Sequence, residues 1–488
     1  MMIHALPCLR FLLGFSLLVA GIPLHAVQPP SPSGASSHPN VLLIIADDLN
    51  RELGCYGAKE ARTPHLDRLA EEGVRFERAY GQGAVCTPSR KSFLTGLSTR
   101  TVGLHNFYHR ENPDATSLGR HFRENGYQTI AIGKVEHTPE HQDPKAWDLR
   151  PEPRPVKARL KFKEEQSDTR SSKGARILTQ VFQDGDLTTD ATRTAQFAEF
   201  LDRQREPGKP FLAALGFHSP HEPHQVYQRH LDAHAVERMP LDQAPAKASP
   251  FNPLAFQFPC WMPEESVQRK NVQSYYAAVS AVDEEVGKAV ALLEKYQLRE
   301  NTIVIVIGDN GYHLGYRGQW AKHDVYPEVA QLPLIVCYPP LAGKGRVARG
   351  LVELVDLFPT LTELAGIPMP EKRDGRSFVP QLRDPGLPGK EAGYIEWILP
   401  RASVEENLKW LPEGGLSLPL PAEMKNSPVS AIYTEDWLYV EYRAMPVREL
   451  YRISGDPKAY VNVVEQFPEL ALALSTKLRA YFAGSVVK

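Results

Sequence analysis

Residues 40–48 read NVLLIIADD, in which six consecutive apolar residues, Val41 to Ala46, lead directly into Asp47 and Asp48. A strand that is apolar at every position is buried on both faces, as in a parallel sheet covered by helices. Three further segments repeat this pattern of an apolar run with polar residues at its end: YQTIAIGKVEH (127–137), PFLAALGFHSPH (210–221) and NTIVIVIGDNG (301–311). The four segments predict strands of one mostly parallel sheet.

Helical segments separate these strands, over residues 63–73, 116–126, 190–204 and 274–296. In the last of them apolar residues recur at helical spacing with charged residues opposite, which is typical of a helix that packs one face on a core. The alternation of strands and helices predicts an α/β fold with a large mixed, mostly parallel sheet sandwiched by helices.

Composition describes an ordinary globular protein. The chain has 488 residues, 42% of them hydrophobic, and a formal net charge of -2. Without a block of basic or acidic residues, we expect no nucleic acid and no membrane surface as a partner. Beyond residue 26 the cysteines lie far apart with no CxxC pair, at Cys55, Cys86, Cys260 and Cys337. This spacing indicates neither a disulfide scaffold nor a zinc-thiolate site.

The first 26 residues have the features of a signal peptide. A basic residue precedes an apolar run over residues 11–22, and LHA at 24–26 is close to the small-residue pattern that signal peptidase cuts. The run is shorter than the roughly 20 apolar residues of a transmembrane helix. We expect cleavage near Ala26, a flexible lead-in over residues 27–38, no stable membrane insertion, and a periplasmic or secreted protein. A buried N-terminal helix is the alternative.

The ends of the four predicted strands carry the candidate site, because ligands of open α/β sheets bind at the carboxyl ends of strands. Four residues offer hard oxygen ligands, which suit calcium or magnesium rather than zinc: Asp47, Asp48, Asp309 and Asn310. Four others supply positive charge and proton donors: Lys134, His137, His218 and Lys322. A dication with several cationic donors predicts a site for a tetrahedral oxyanion.

One segment resembles a known family. Residues 86–96, CTPSRKSFLTG, are similar to the Cys-x-Pro-Ser-Arg-x-x-x-Leu-Thr-Gly segment of the type I sulfatases, within the alkaline-phosphatase-like superfamily. Further segments extend the resemblance from about residue 39 to the C-terminus in the family's order, and they are most like the iduronate-2-sulfatase branch: 54–57, 133–137, 218–223, 308–323, 351–361 and 449–457.

The resemblance implies that a sulfatase-maturating enzyme oxidises Cys86 to Cα-formylglycine, whose hydrated gem-diol attacks sulfur. The family pattern makes Arg90 a holder of the modified side chain. Calcium, with magnesium as the alternative, would be bound by Asp47, Asp48, Asp309, Asn310 and the modified Cys86. The resemblance further assigns sulfate binding to Lys134 and Lys322, leaving-group assistance to His218 and the gem-diol proton to His137. The iduronate-2-sulfatase branch has His where this chain has Asn310.

The resemblance also implies the domain organisation: a catalytic domain over residues 39–365 and a C-terminal α+β subdomain over 366–488 with an antiparallel sheet. Residues 430–443 predict a hairpin and residues 468–484 a closing helix. The proline-rich stretch 239–263 is either a surface excursion or part of the substrate mouth.

The branch favours a sulfated carbohydrate as substrate, with aryl or choline sulfate as alternatives. A phosphate or phosphonate ester hydrolase of the same superfamily could use the same residues, and a non-catalytic sugar-binding relative is a further alternative. A cysteine-dependent phosphatase would need Cys-x5-Arg, whereas Arg90 follows Cys86 by four residues. His221 either lines the substrate pocket or hydrogen-bonds within its loop.

Overall fold

The computed structural model describes residues 38–104, 115–138, 141–154, 156, 161–162, 179–249, 264–316, 319–341, 345–370, 372–399, 427–443 and 446–483. All of these belong to one compact unit, residues 36–488. The predicted signal peptide and all of the lead-in except residue 38 lie outside the described residues, as do residues 250–263 of the proline-rich stretch.

Eighteen strands are present among the described residues: β1 (Asn40–Asp47), β2 (Val74–Phe76), β3 (Ala79–Tyr80), β4 (Gln128–Gly133), β5 (Lys161–Phe162), β6 (Thr179–Phe182), β7 (Phe211–Pro220), β8 (His224–Tyr227), β9 (Thr302–Gly308), β10 (His313–Leu314), β11 (Trp320–Ala321), β12 (Leu334–Cys337), β13 (Arg346–Ala348), β14 (Val352–Glu353), β15 (Gly393–Leu399), β16 (Ser427–Tyr433), β17 (Leu438–Tyr442) and β18 (Val447–Tyr451).

The α-helices of the described part of the chain are α1 (Pro64–Glu72), α2 (Cys86–Thr95), α3 (Thr99–Val102), α4 (Leu118–Glu124), α5 (Thr189–Glu199), α6 (Gln228–Asp232), α7 (Glu265–Lys295), α8 (Pro327–Ala330), α9 (Leu357–Leu364), α10 (Val379–Arg383) and α11 (Pro468–Phe482). A π-helical turn, Phe200–Gln204, continues α5. Every helix within these described ranges is too short or too polar to cross a membrane.

Seven strands form the large sheet, in the order β13-β2-β12-β9-β1-β7-β4. The strands β4, β7, β1 and β9 run parallel, and β12 is antiparallel to both of its neighbours. Ala46 at the end of β1 pairs with Phe217 of β7 and Gly308 of β9, so these strands end at the same edge. The predicted mixed, mostly parallel sheet is confirmed.

Alternate residues of β1 explain why the strand is apolar throughout. Leu42 and Ile44 pack in the core under α1, α5 and α7, whereas Leu43 and Ile45 pack in the core under α2, α4 and α9. All four side chains are fully buried. Burial of each of these side chains stabilises the fold by about 1.5–3 kcal/mol. Because the two pairs point to opposite faces, helices cover both faces of the sheet.

A separate antiparallel sheet lies near the C-terminus, with the order β15-β16-β17-β18. Helix α11 packs on one face, and the other face packs against residues 80–85 and 325–330 of the first part of the chain. The predicted hairpin and closing helix are confirmed as β16–β17 and α11. The predicted boundary at residue 365 stays a prediction.

Candidate functional site

The carboxyl ends of β1 and β9 bring the predicted oxygen ligands together. The Asp309 amide donates to the carbonyl oxygen of Ala46 at 3.2 Å, and the Asp48 amide donates to Asp309 Oδ1 at 3.1 Å. Asp48 has a φ of 65°, a left-handed conformation that non-glycine residues rarely adopt. Such backbone strain persists where surrounding contacts enforce it, and it often lies at functional sites.

Two oxygens of this cluster lack hydrogen bonds. Asn310 Nδ2 donates to Asp48 Oδ1 at 2.7 Å and to the Gly311 carbonyl at 2.9 Å, whereas Asn310 Oδ1 and Asp47 Oδ1 are buried and accept no hydrogen bond. Buried polar atoms are nearly always satisfied in native proteins. A hard cation would satisfy both oxygens, and the residues present therefore fit calcium or magnesium.

Three cationic side chains surround the three carboxyl groups of the cluster. Arg90 is 1% exposed, and its Nε donates to Asp309 Oδ2 at 2.7 Å while its Nη2 lies 3.6 Å from Asp47 Oδ1. Lys134 pairs with Asp47 and Lys322 pairs with Asp48. Burial opposes ionisation of Asp47, but the charges of Lys134 and Arg90 hold its pKa well below the usual value. The carboxylate therefore stays ionised and available to a cation.

Cys86 is the first residue of α2, at the edge of this cluster. Its Sγ lies 3.6 Å from His137 Nδ1 and 3.7 Å from Lys134 Nζ. Burial raises the pKa of the Cys86 thiol to about 11, so an unmodified side chain would be a neutral thiol near pH 7. Asp47, Cys86 and Asp309 each place one potential ligand atom within 4.8 Å of the others.

Burial favours the neutral form of both predicted catalytic histidines. Burial lowers the pKa of His137 to about 4 and also lowers the pKa of His218. Neutral imidazoles can accept a proton, which is what a general base near Cys86 requires.

Asp190 and Arg193 were not predicted from the sequence, yet they hold two parts of the site. Asp190 accepts the amide hydrogens of His218 at 2.7 Å and Ser219 at 2.9 Å, and Arg193 pairs with it at 2.8 Å. The Arg193 side chain also lies against Gly133, the residue before Lys134. From the sequence alone, Asp190 is an acidic residue in the first turn of a helix. Its partners His218 and Ser219 lie almost 30 residues further along the chain, so no local pattern indicates its role.

His221 makes the predicted contact within its loop, and its role in the substrate pocket stays a prediction. Its Nδ1 lies 2.5 Å from the Glu222 carbonyl within the loop, and its Nε2 faces Asp48 Oδ2 at 3.9 Å. The side chain is 31% exposed, and its ring centroid lies 5.4 Å from that of His218. His221 therefore lies at the edge of the cluster formed by Asp47, Asp48, Asp309 and Asn310.

Lys322 is held by a strained segment. The residues on either side, Ala321 and His323, have left-handed φ values of 69° and 83°. The His323 ring packs on Trp397 of the C-terminal sheet, with centroids 5.2 Å apart. The C-terminal sheet thus supports the segment that carries Lys322.

Comparison with known proteins assigns the chain to the sulfuric ester hydrolases, because the sulfatase family profile matches residues 39–367. The chain belongs to the sulfatase family. It is 32% identical over 431 residues to iduronate 2-sulfatase of Mus musculus, and the match covers 76% of each protein. The family and the class of reaction predicted from the sequence are therefore confirmed.

Solved structures share the fold. One structure, in complex with its substrate D-glucosamine-2-N,6-O-disulfate, superposes with a TM-score of 0.70 at 21% identity over 92% of this chain and 98% of that one. The phosphonate monoester hydrolase of Agrobacterium radiobacter superposes with a TM-score of 0.69 at 20% identity, covering 91% of this chain and 96% of that one. At such identity the likeness shows the fold alone.

Proposed function

We propose that this sulfatase hydrolyses a sulfate ester of a carbohydrate, with Cys86 converted to Cα-formylglycine and a calcium ion bound by Asp47, Asp48, Asp309 and Asn310. The observation that carries the proposal is the environment of Cys86. Its sulfur lies within 3.7 Å of Lys134 Nζ and beside the metal-ligand carboxylates, yet burial keeps the thiol protonated. A protonated thiol is a poor nucleophile, whereas a hydrated aldehyde at the same position offers two hydroxyl groups.

When bound, calcium would polarise a sulfate oxygen and favour ionisation of a hydroxyl group beside it. In the proposed reaction one hydroxyl of the hydrated residue 86 attacks sulfur, and the bond from sulfur to the sugar oxygen breaks. His218 relays to the departing sugar oxygen the proton that the attacking hydroxyl releases, so its imidazole is neutral before and after the step. His137, with Nδ1 3.6 Å from Cys86 Sγ, then takes the proton of the second hydroxyl. Sulfate leaves, the aldehyde is restored, and the net reaction consumes one water.

In this proposal the two lysines stabilise charge, whereas Arg90 positions other residues. Lys134 and Lys322 stabilise the negative charge that develops on the sulfate oxygens in the transition state. Arg90 donates to Asp309 and to the Val135 carbonyl at 3.2 Å, so it holds the metal ligands and the Lys134 segment in place. Arg90 is buried, and its Nε and Nη1 donate to Asp309 and to the carbonyls of Lys134 and Val135, so we assign it to positioning residue 86 and its surroundings.

A carbohydrate substrate is supported by the relatives rather than by the described residues. The name of the relative from Mus musculus is iduronate 2-sulfatase, and the similar solved structure was determined with a disulfated glucosamine. The predicted signal peptide supports a periplasmic or secreted protein that meets a sulfatase-maturating enzyme before or during export. The substrate is tested by incubating purified, modified protein with defined sulfated oligosaccharides and identifying the position that loses sulfate.

Hydrolysis of a phosphate or phosphonate ester is the second candidate, because a phosphonate monoester hydrolase has the same fold. Matched aryl sulfate, aryl phosphate and aryl phosphonate esters separate the two functions. We expect the largest kcat/KM for the sulfate ester. A larger kcat/KM for the phosphonate ester would replace the sulfatase assignment of this site.

A further inference from the structure

A second group of potential metal ligands overlaps the oxygen cluster. Asp47, His218 and His221 each place one ligand atom within 4.8 Å of the others. Two imidazole nitrogens and one carboxylate oxygen differ in kind from the oxygen set of Asp48, Asp309 and Asn310. Imidazole nitrogen suits zinc, copper, nickel and cobalt, whereas calcium and magnesium prefer oxygen.

The surroundings of His221 favour a ligand at its outer nitrogen. The Glu222 carbonyl lies 2.5 Å from Nδ1 and can only accept a hydrogen bond, so Nδ1 carries the hydrogen of the neutral ring. The lone pair is then on Nε2, the atom that faces the carboxylates. Histidines that bind metals typically donate their other ring N–H to a carbonyl or carboxylate in this way.

The positions of His218 and Asp47 complete the set. Both backbone amides of the His218-Ser219 pair are fixed by Asp190, which limits movement of the strand end that carries His218. Asp47 is fully buried, and its Oδ1 accepts no hydrogen bond. Asp190 thus fixes the backbone of His218 and the Glu222 carbonyl fixes the ring of His221, and neither contact uses the proposed ligand nitrogen of His221.

We propose that Asp47, His218 and His221 bind a divalent transition metal of the zinc class in competition with calcium. Asp47 belongs to both ligand sets, and two dications at this distance repel each other, so occupancy of one site weakens the other. The inference concerns binding and does not depend on the proposed sulfate hydrolysis. If that hydrolysis is correct, the transition metal inhibits it, since a metal-bound His218 cannot assist the leaving group.

Cobalt(II) is a suitable probe because its visible absorption changes with the number and kind of its ligands, so loss of a histidine ligand can be followed in variants. The protein is the full chain without a histidine tag, stripped of metal by chelation. A Cys86→Ala background removes the thiol, which would otherwise offer the probe a sulfur ligand. We expect one equivalent of cobalt(II) to bind, and His221→Ala to weaken its binding by about tenfold or more. Added calcium should weaken cobalt(II) binding to the parent protein.

His65→Ala is the matched control, because His65 is an exposed histidine on α1. It should bind cobalt(II) like the parent. His218→Gln provides a second variant that removes one nitrogen ligand while keeping a polar side chain, and it should also weaken binding. Equal cobalt(II) affinity of the parent, His221→Ala and His218→Gln would overturn the proposed ligand set. Failure of calcium to change the cobalt(II) affinity would overturn the competition. Neither measurement involves turnover, so a failed sulfatase assay leaves this test intact.

Discussion

Lys134 makes contacts with two different parts of the site. Its ammonium group pairs with the carboxylate of Asp47, a proposed metal ligand, and its Nζ lies 3.7 Å from Cys86 Sγ. Lys322 makes the equivalent pair with Asp48. Lys134 therefore lies between Asp47 and residue 86, and in the proposed mechanism both lysines stabilise the negative charge that develops on the sulfate oxygens.

Removal of these charges should slow the reaction. We expect Lys134→Ala, His218→Ala and Lys322→Ala each to lower kcat on the order of 100-fold, because each removes a group that stabilises charge or transfers a proton at the reacting centre. Steady-state kinetics on an aryl sulfate measure the effect. Lys295→Ala is the control, since Lys295 is exposed at the end of α7. Equal, small effects in all four variants would show that the reaction takes place elsewhere.

Helix α5 links the ends of two strands, β7 and β4. Asp190 in its first turn holds the end of β7, and Arg193 one turn later lies against Gly133 at the end of β4. The same salt bridge thus supports the strand ends that carry His218 and Lys134. Its members touch no reacting atom in the proposed mechanism, so their function is to position.

Loss of Asp190 should affect the chemical step. We expect Asp190→Ala to lower kcat by about 10–100-fold with a smaller change in KM, because the end of β7 loses two backbone hydrogen bonds and His218 loses its alignment. Asp202→Ala is the control, since Asp202 is exposed in the turn that follows α5. Kinetics that match the wild type in Asp190→Ala would remove this positioning role.

A pair of glycines tests the packing between α5 and β4. Gly133 and Gly126 have similar positive φ values of 75° and 87°, but a methyl group at Gly133 would overlap Arg193 and the Gly216 carbonyl, whereas one at Gly126 meets nothing within 4 Å. Gly126→Ala should cost about 1 kcal/mol in the free energy of unfolding through backbone strain alone. Gly133→Ala should cost more and should also lower kcat. Denaturant unfolding of the two variants measures the difference, and equal losses of stability would mean that the clash is relieved locally.

The elements that the sequence predicts well are those whose own pattern determines them. Residues 40–47 are apolar throughout and are buried on both faces, so β1 follows from the pattern alone. Helix α2 was not predicted, because most of its buried residues are polar and follow no helical periodicity, among them Thr87, Ser89 and Arg90. Their hydrogen bonds reach distant segments, as that of Arg90 does to Asp309. Such partners exist only after the chain has folded.

At the scale of the whole molecule, the C-terminal sheet forms part of the support for the site. One face of the sheet packs against residues 80–85 and 325–330, and Trp397 contacts His323 beside Lys322.

The sequence predicted the hairpin and the closing helix, because their patterns are local. It did not predict which face meets the first part of the chain, because that contact joins residues more than 70 positions apart, such as His323 and Trp397. The clustering of Asp47, Asp48, Asp309 and Asn310 was predictable from the strand ends, whereas the positions of Asp190 and Arg193 beside the site were not.

Calcium should stabilise the folded protein as a whole. Binding to the native state alone raises the free energy of unfolding by about 2.7 kcal/mol at a calcium concentration of 100 times Kd. We expect chelation to lower the Tm and abolish activity, and calcium to restore both better than zinc. Calorimetry should show a smaller calcium-dependent gain in Asn310→Ala, which lacks one proposed ligand, than in Asn125→Ala at the end of α4. Unchanged Tm and full activity after verified removal of metal would exclude calcium from the mechanism.

The central claim is that Cys86 acts as an aldehyde rather than as a thiol, and the mass of its peptide tests this directly. In protein produced with a sulfatase-maturating enzyme, we expect the peptide that contains residue 86 to be about 18 Da lighter than the cysteine form and to react with hydrazine reagents. Cys86→Ser, produced in a host that modifies only cysteine, should show no such loss and no turnover, since serine offers no second hydroxyl. Wild-type protein that keeps an unmodified thiol, is inhibited by iodoacetamide and still turns over fully would contradict the account.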